Sequence, residues 1–151
     1  MRPDGPPLGL LLATTSKAVG RAFNNALAES GGSIPIWLIL NALKTEPRRT
    51  QLDLARAVGI EGPTLTRHLD GIEQAGLVKR QRGTPDRRTI QVELTRAGQN
   101  LHARLLEAVI TFNQKLRAGF DDADTETLRR MLNQLQDNVG GQVSATAGKR
   151  D

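Results

Sequence analysis

Apolar residues recur at helical spacing along most of the chain. Between Leu8 and Ser30, the positions Leu12, Val19, Phe23, Ala26 and Leu27 share one helical stripe, and Gly31-Gly32 stops it. Ser33 then stands as the cap of a second helix, with Pro35 in the first turn, where a missing N–H is no loss. From Ile36 to Thr45 that helix is apolar nearly all round, which places it at the centre of the core, and Pro47 ends it. Thr50-Gln51-Leu52-Asp53 has the Thr-x-x-acid form of a capping box. Leu54, Ala55 and Val58 give the short helix behind it an inner face, and Gly59 closes it. Pro63 opens a further helix that runs to Ala75, with Gly76 as its stop. Two helices joined by a short turn containing glycine form a helix-turn-helix.

After Leu77 the period changes to two. Leu77 to Arg82 and Arg87 to Thr95 read as a two-stranded hairpin around the turn Gly83-Thr84-Pro85-Asp86. Ile90, Val92 and Leu94 supply one apolar face to dock on the helix-turn-helix, and the charged tip projects beyond it. Thr95 caps a long helix, Arg96 to Phe120, with the stripe Leu101, Leu105, Val109, Phe112, Leu116 and Phe120. Such a helix is about 37 Å long at 1.5 Å per residue, more than a small lobe of about 60 residues can cover. The acidic cluster Asp121, Asp122, Asp124 and Glu126 suits the positive end of a last helix, expected to bury Leu128, Leu132, Leu135 and Val139. Residues 1–7 and 140–151 are rich in Gly, Pro and small polar groups and read as loose ends.

A length of 151 residues suits one domain or one compact subunit. No window approaches the ~18 apolar residues of a membrane span. No small-residue cleavage pattern follows the apolar patch after Arg2, so no signal peptide is expected and a cytoplasmic protein is the default. The absence of cysteine excludes a disulfide framework, a thiol switch and a cysteine metal site. His68 and His102 fall on different helices, with no acidic residue at ligand spacing, so neither metal nor cofactor is expected. No serine lies in a nucleophile-elbow or phosphate-loop context, and the chain reads as a non-enzyme. Charge redirects the reading. Net charge is +5, and residues 48–104 hold eleven basic against six acidic groups, while the segments on either side are nearly neutral. A basic module between neutral helical arms points to a polyanion such as double-stranded DNA.

On a helical wheel over Thr64–Gln74, Leu65, Leu69 and Ile72 cluster toward the core and Arg67 points directly away. Thr66 and His68 lie on the flanks, and Thr64 lies near Arg67. These groups can meet base edges and phosphates in a major groove, with Arg67 the candidate for a bidentate guanine contact. Thr64 and Thr66 have two options, donating to phosphates or packing against a thymine methyl. Thr50 and Gln51, at the start of the preceding helix, join the candidate set. In the hairpin the candidates are Arg82, Asp86, Arg87 and Arg88, since arginine suits a narrow, electronegative minor groove. Asp86 either holds Arg88 through a bidentate pair or hydrogen-bonds its own backbone as a turn aspartate.

Two stretches carry a family likeness. "TQLDLARAVGIEGPTLTRHLDGIEQAGLVKR" and "DRRTIQVELTRAG", with its Asp-x-Arg, alternating strand and Leu-Thr-x-x-Gly, resemble the MarR family of winged helix-turn-helix transcription regulators. The resemblance implies a mainly α fold with a small two-stranded β-wing and a DNA-binding region over residues 33–95. It also implies a homodimer joined through helices in residues 8–32 and 96–139. It further implies a repressor with a pocket for a small aromatic or anionic effector, where Trp37 and Phe112 would be either lining or plain core packing. An architectural DNA-binding protein without an effector is the rival reading.

Overall fold

The computed structural model describes residues 4–83 and 85–140. Thr84 of the tip turn, and the parts of the expected loose ends at 1–3 and 141–151, lie outside the described residues. Six helices and three strands follow one another as α1 (Leu8–Glu29), α2 (Ile34–Thr45), β1 (Arg48–Thr50), α3 (Gln51–Val58), α4 (Gly62–Gln74), β2 (Val78–Arg82), β3 (Ile90–Leu94), α5 (Arg96–Leu116) and α6 (Asp122–Asn138). Two compact units result, Met1–Phe112 and Asn113–Asp151. No single described helix is long and apolar enough to cross a membrane.

The start signals read from sequence are made by the expected side chains. The Ser33 hydroxyl accepts the Ile36 N–H at 3.3 Å and caps α2. The Thr50 hydroxyl accepts the Asp53 N–H at 3.1 Å and caps α3. Asp121 and Asp124 form a reciprocal capping box at the head of α6. Gly59 ends α3 at φ 68°, a left-handed conformation that glycine adopts without steric cost, and so turns the chain into α4.

In the first unit, the buried core joins Leu27 of α1, Ile39, Leu40 and Leu43 of α2, Leu54 of α3, and Leu65, Leu69 and Ile72 of α4. Val78, Val92, Leu101 and Leu105 complete it from the strands and α5. The three core-facing residues assigned to α4 are therefore all buried. Trp37 stacks on His102 with ring centroids 5.2 Å apart, and Phe23 stacks on Phe112 at 5.0 Å. His102 is buried, and its Nε2 lies 3.0 Å from Asn41 Oδ1. Burial, and then the charge of Lys44, hold its imidazole below the ordinary value.

Four expectations need correction. The hairpin belongs to a three-stranded antiparallel sheet in the order β1-β3-β2, because Arg48, Arg49 and Thr50 pair with Glu93, Val92 and Gln91. Strand β3 begins at Ile90 rather than Arg87, and Ile90 itself is 41% exposed, so Val92 is the residue that anchors the wing. Helix α5 ends at Leu116, not Phe120, where Gly119 and the Phe120 N–H to Arg117 C=O bond make a turn. Leu128 and Leu132 of α6, and Val139 at its C-cap, are exposed rather than buried; Leu116 and Phe120 are exposed as well, as a stripe longer than the lobe can cover requires. An apolar stripe on a 17-residue helix needs a surface to cover it, and the second unit offers these residues none.

Gly98 is the glycine of the Leu-Thr-x-x-Gly motif, and the fold gives its reason. A Cβ there would collide with the Leu77 carbonyl oxygen and come within 3.1 Å of the Leu77 carbonyl carbon and Leu94 Cδ1. Gly98→Ala is expected to destabilise the fold by about 1–3 kcal/mol, the usual range for an overpacked site. Urea unfolding should show a lower midpoint with an unchanged slope. His102 generates a second expectation. The unfolded imidazole takes its proton near the usual pH of about 6.5, before the folded one does, so acid favours the unfolded chain. Stability should fall as pH drops from 6.5 toward about 5, and His102→Phe should flatten that slope in denaturation curves at the two pH values.

Candidate nucleic-acid interface

Helix α4 presents its outer face as the wheel requires. Arg67 is exposed, while Thr64, Thr66 and His68 are half-buried along its edges. Thr66 is not a free hydroxyl. It donates to the Gly62 carbonyl at 3.0 Å and accepts from Gln51 Nε2 at 2.8 Å, so Gln51 ties the start of α3 to the first turns of α4. Thr50, the other candidate there, is the α3 cap.

The wing tip is built by short-range hydrogen bonds. The Gly83 N–H donates to the Thr89 carbonyl, and the Thr89 hydroxyl donates to the Asp86 carbonyl at 2.8 Å. Asp86 holds Arg88 and also bonds a nearby backbone N–H, both through one oxygen. Its Oδ1 accepts from the Arg88 backbone N–H at 3.0 Å and from Arg88 Nε at 3.3 Å. The pair is single-oxygen rather than bidentate, and the Arg88 side chain stays 93% exposed, so the aspartate aims the guanidinium without withdrawing it. Among the described residues, neither Arg82 nor Arg87 has an ion-pair partner, and both are exposed. A groove of about 550 Å³ is lined by Arg82, Arg87, Arg88 and Ile90 together with Glu73 and Arg80.

Arg80 departs from the picture of a uniformly basic tip. Its Nη2 pairs with Asp70 Oδ1 at 2.5 Å and Glu73 Oε1 at 3.0 Å, while its backbone N–H donates to Glu73 Oε2 at 3.0 Å. The Arg80 side chain bonds hold the Glu73 carboxyl below the usual carboxylate range, and Glu73 in turn raises Arg80. Arg80 therefore clamps β2 to the last turns of α4. The sequence held a signal for this: two acids three apart on α4, followed by a strand arginine. Arg49 is drawn inward in the same way, with Nη2 3.2 Å from Glu46 and Nε donating to the Ala42 carbonyl. The outward cations at this face are then Arg67, Arg82, Arg87 and Arg88.

A helix pair with an outward arginine, followed at once by an arginine-tipped wing, matches one family in particular. Residues 33–90 match the family model described as MarR family. Over that region the chain is similar to the MarR family. Its matched region runs from the α2 cap to the first residue of β3, and so holds both helices of the helix-turn-helix, β2 and the wing tip. Among solved structures it is similar to the transcriptional repressor CouR bound to a 23-mer DNA duplex, at 28% identity and TM-score 0.79, over 85% of this chain and 91% of that one. It shares its fold with a mutant MarR from E. coli complexed with operator DNA, at 23% identity and TM-score 0.78, over 85% and 93% of the two chains. It also shares it with the organohalide-sensing regulator RdhR in its 2,4-dichlorophenol-bound form, at 17% identity and TM-score 0.80, over 99% and 95%.

The Arg80 clamp should show in both stability and wing motion. Arg80→Ala leaves two carboxylates facing each other without a cation, at a site where the arginine side chain is 17% exposed. The expected loss is about 1–2 kcal/mol. Hydrogen exchange should speed up in β2 and β3 more than in α2.

Proposed function

We propose that this chain is a homodimeric, sequence-specific DNA-binding transcription regulator, acting in the cytoplasm as a repressor that a small aromatic or anionic effector releases from its operator. The observation that carries the reading is the division of cations: Arg67 stands outward on α4, and Arg82, Arg87 and Arg88 stand outward on the wing, while Arg49 and Arg80 are held by internal acids. A helix of this kind suits a major groove and the wing suits the neighbouring minor groove or phosphates. The likeness to CouR on its DNA duplex supports that docking.

The exposed apolar residues support a second copy. Leu8, Leu10 and Leu11 of α1 are each at least half exposed, and α6 leaves Leu128, Met131 and Leu132 in solvent. Isolated exposed leucines are ordinary, but rows of them along a helix mark an interaction face. A two-fold dimer would set two α4 helices on one side of the duplex, so the operator is a pseudo-palindrome with half-sites about one helical turn apart. The effector would act by binding the DNA-incompetent arrangement more tightly. The stacking of Trp37 on His102 and of Phe112 on Phe23 favours packing as the role of both aromatics.

Affinity for an operator and for scrambled DNA, measured at fixed salt, tests the reading. A ratio well above ten is expected, and a ratio near one would leave an architectural protein instead. Arg67→Ala should lower the ratio by about 1–3 kcal/mol equivalent, while Arg87→Ala should weaken both duplexes alike and reduce the salt slope by about one.

A further inference from the structure

We propose that Thr66 reads a thymine through its methyl group, and that its hydroxyl takes no part in contacting DNA. This specificity rests on the DNA-reading function proposed above. The hydroxyl proton is already committed inside the protein, where Thr66 Oγ1 donates to the Gly62 carbonyl at 3.0 Å and receives Gln51 Nε2 at 2.8 Å. The Gln51 amide does not alter this conclusion if its ends are exchanged. With Oε1 turned toward Thr66, the same proton goes to Gln51 instead of Gly62. The other end of the amide is buried, and Gln51 Oε1 has no partner there among the described residues. Placing the two-proton nitrogen at that spot would strand two donors in place of one acceptor, so the arrangement seen is the favoured one.

A hydroxyl without a free proton cannot bind a phosphate, because phosphate oxygens only accept. Nor can it donate to guanine N7 and O6 or thymine O4. What a half-buried threonine on the outer flank of α4, beside the exposed Arg67, still offers is Cγ2 and one Oγ1 lone pair. That lone pair can only accept from an adenine or cytosine amine, a contact that would leave no penalty on replacing thymine by uracil. The natural counterpart of Cγ2 in the major groove is the thymine C5-methyl, the one apolar group on a base edge there. The two back-bonds also fix χ1, so the methyl is presented in one orientation without entropy left to lose. Gln51 is by this reading a positioning residue, holding the threonine rather than touching a base.

The test uses the full chain and duplexes selected from a random pool. Each thymine of the selected site is replaced in turn by uracil, which keeps every hydrogen bond and removes only the methyl. One thymine per half-site should lose about fourfold in affinity, the value of one buried methyl group. Thr66→Val keeps the methyl but removes the acceptor of Gln51 Nε2, so it should lower affinity for thymine and uracil sites alike and still keep the uracil penalty. Thr66→Ser keeps the hydroxyl and its internal bonds, so it should fold normally yet bind thymine and uracil sites equally. The proposal is overturned if the serine variant retains the penalty. It is equally overturned if no uracil substitution weakens the unmutated protein. A pool that never enriches would overturn sequence-specific reading itself and the proposal with it, whereas an enriched pool without a Thr66-dependent penalty overturns the proposal alone.

Discussion

The Leu77 carbonyl is the point on which the winged helix-turn-helix is assembled. The Thr95 N–H donates to it at 3.1 Å, and Gly98 packs against it too closely for any side chain. The Thr95 hydroxyl donates to the neighbouring Gly76 carbonyl at 2.6 Å and accepts the Gly98 N–H at 3.0 Å. The Leu77 N–H meanwhile closes the end of α4 on the Ile72 carbonyl. One carbonyl, one threonine and one glycine thus join the exit of α4, the start of β2, the end of β3 and the first turn of α5. Every later register follows, beginning with Val78 opposite Leu94 and running out to Arg82 opposite Ile90 at the tip. A residue with a Cβ at position 98 would push α5 off the sheet, which is why a motif glycine here concerns contact and not backbone freedom.

From that junction outward, internal acids decide which basic residues remain available. The strand β2 places Arg80 and Arg82 on the same side of the strand, but only Arg80 lies over Asp70 and Glu73. Its charge serves the join between α4 and the sheet, and Arg82, one step further along that side, is beyond their reach. At the tip Asp86 takes hold of Arg88 and still leaves it in solvent. Net charge alone would count all of these arginines equally. Their geometry divides them into clamps, an aimed side chain and free ends, and only the last two kinds can neutralise a phosphate.

Much of this arrangement was legible in the residues, and the misses share a cause. Caps, helix stops and the core stripe of α4 are local: Ser33, Thr50, Gly59, Leu65, Leu69 and Ile72 each act within one or two turns of their own position. Strand β1 was hidden because three polar residues carry no alternation, and its partners lie more than forty positions away. The Arg80 clamp had its acids in the sequence, Asp70 and Glu73, but a charge run does not say which of its basic members faces them. The apolar stripe of α6 is legible in the sequence, but what covers it is not, because periodicity identifies a face and not the surface that covers it. The Gln51–Thr66 bond spans two helices and had no sequence signal beyond the polarity of both residues.

That last bond changes how polarity on the outer face of α4 should be counted. Thr64, Thr66, Arg67 and His68 look equivalent as polar residues near a duplex, yet each has a different free capacity. Among the described residues Arg67 keeps all its donors, so its discrimination would rest on hydrogen bonds and would fall with their loss. Thr66 has spent its proton on Gly62, and its acceptance of Gln51 fills one of its two lone pairs. A side chain of this kind contributes shape more than charge, and shape contacts are insensitive to salt. On the proposed reading the face would combine a salt-dependent part, carried by guanidinium groups, with a salt-independent part, carried by a fixed methyl. Raising ionic strength should weaken total affinity while the apolar share of its selectivity persists.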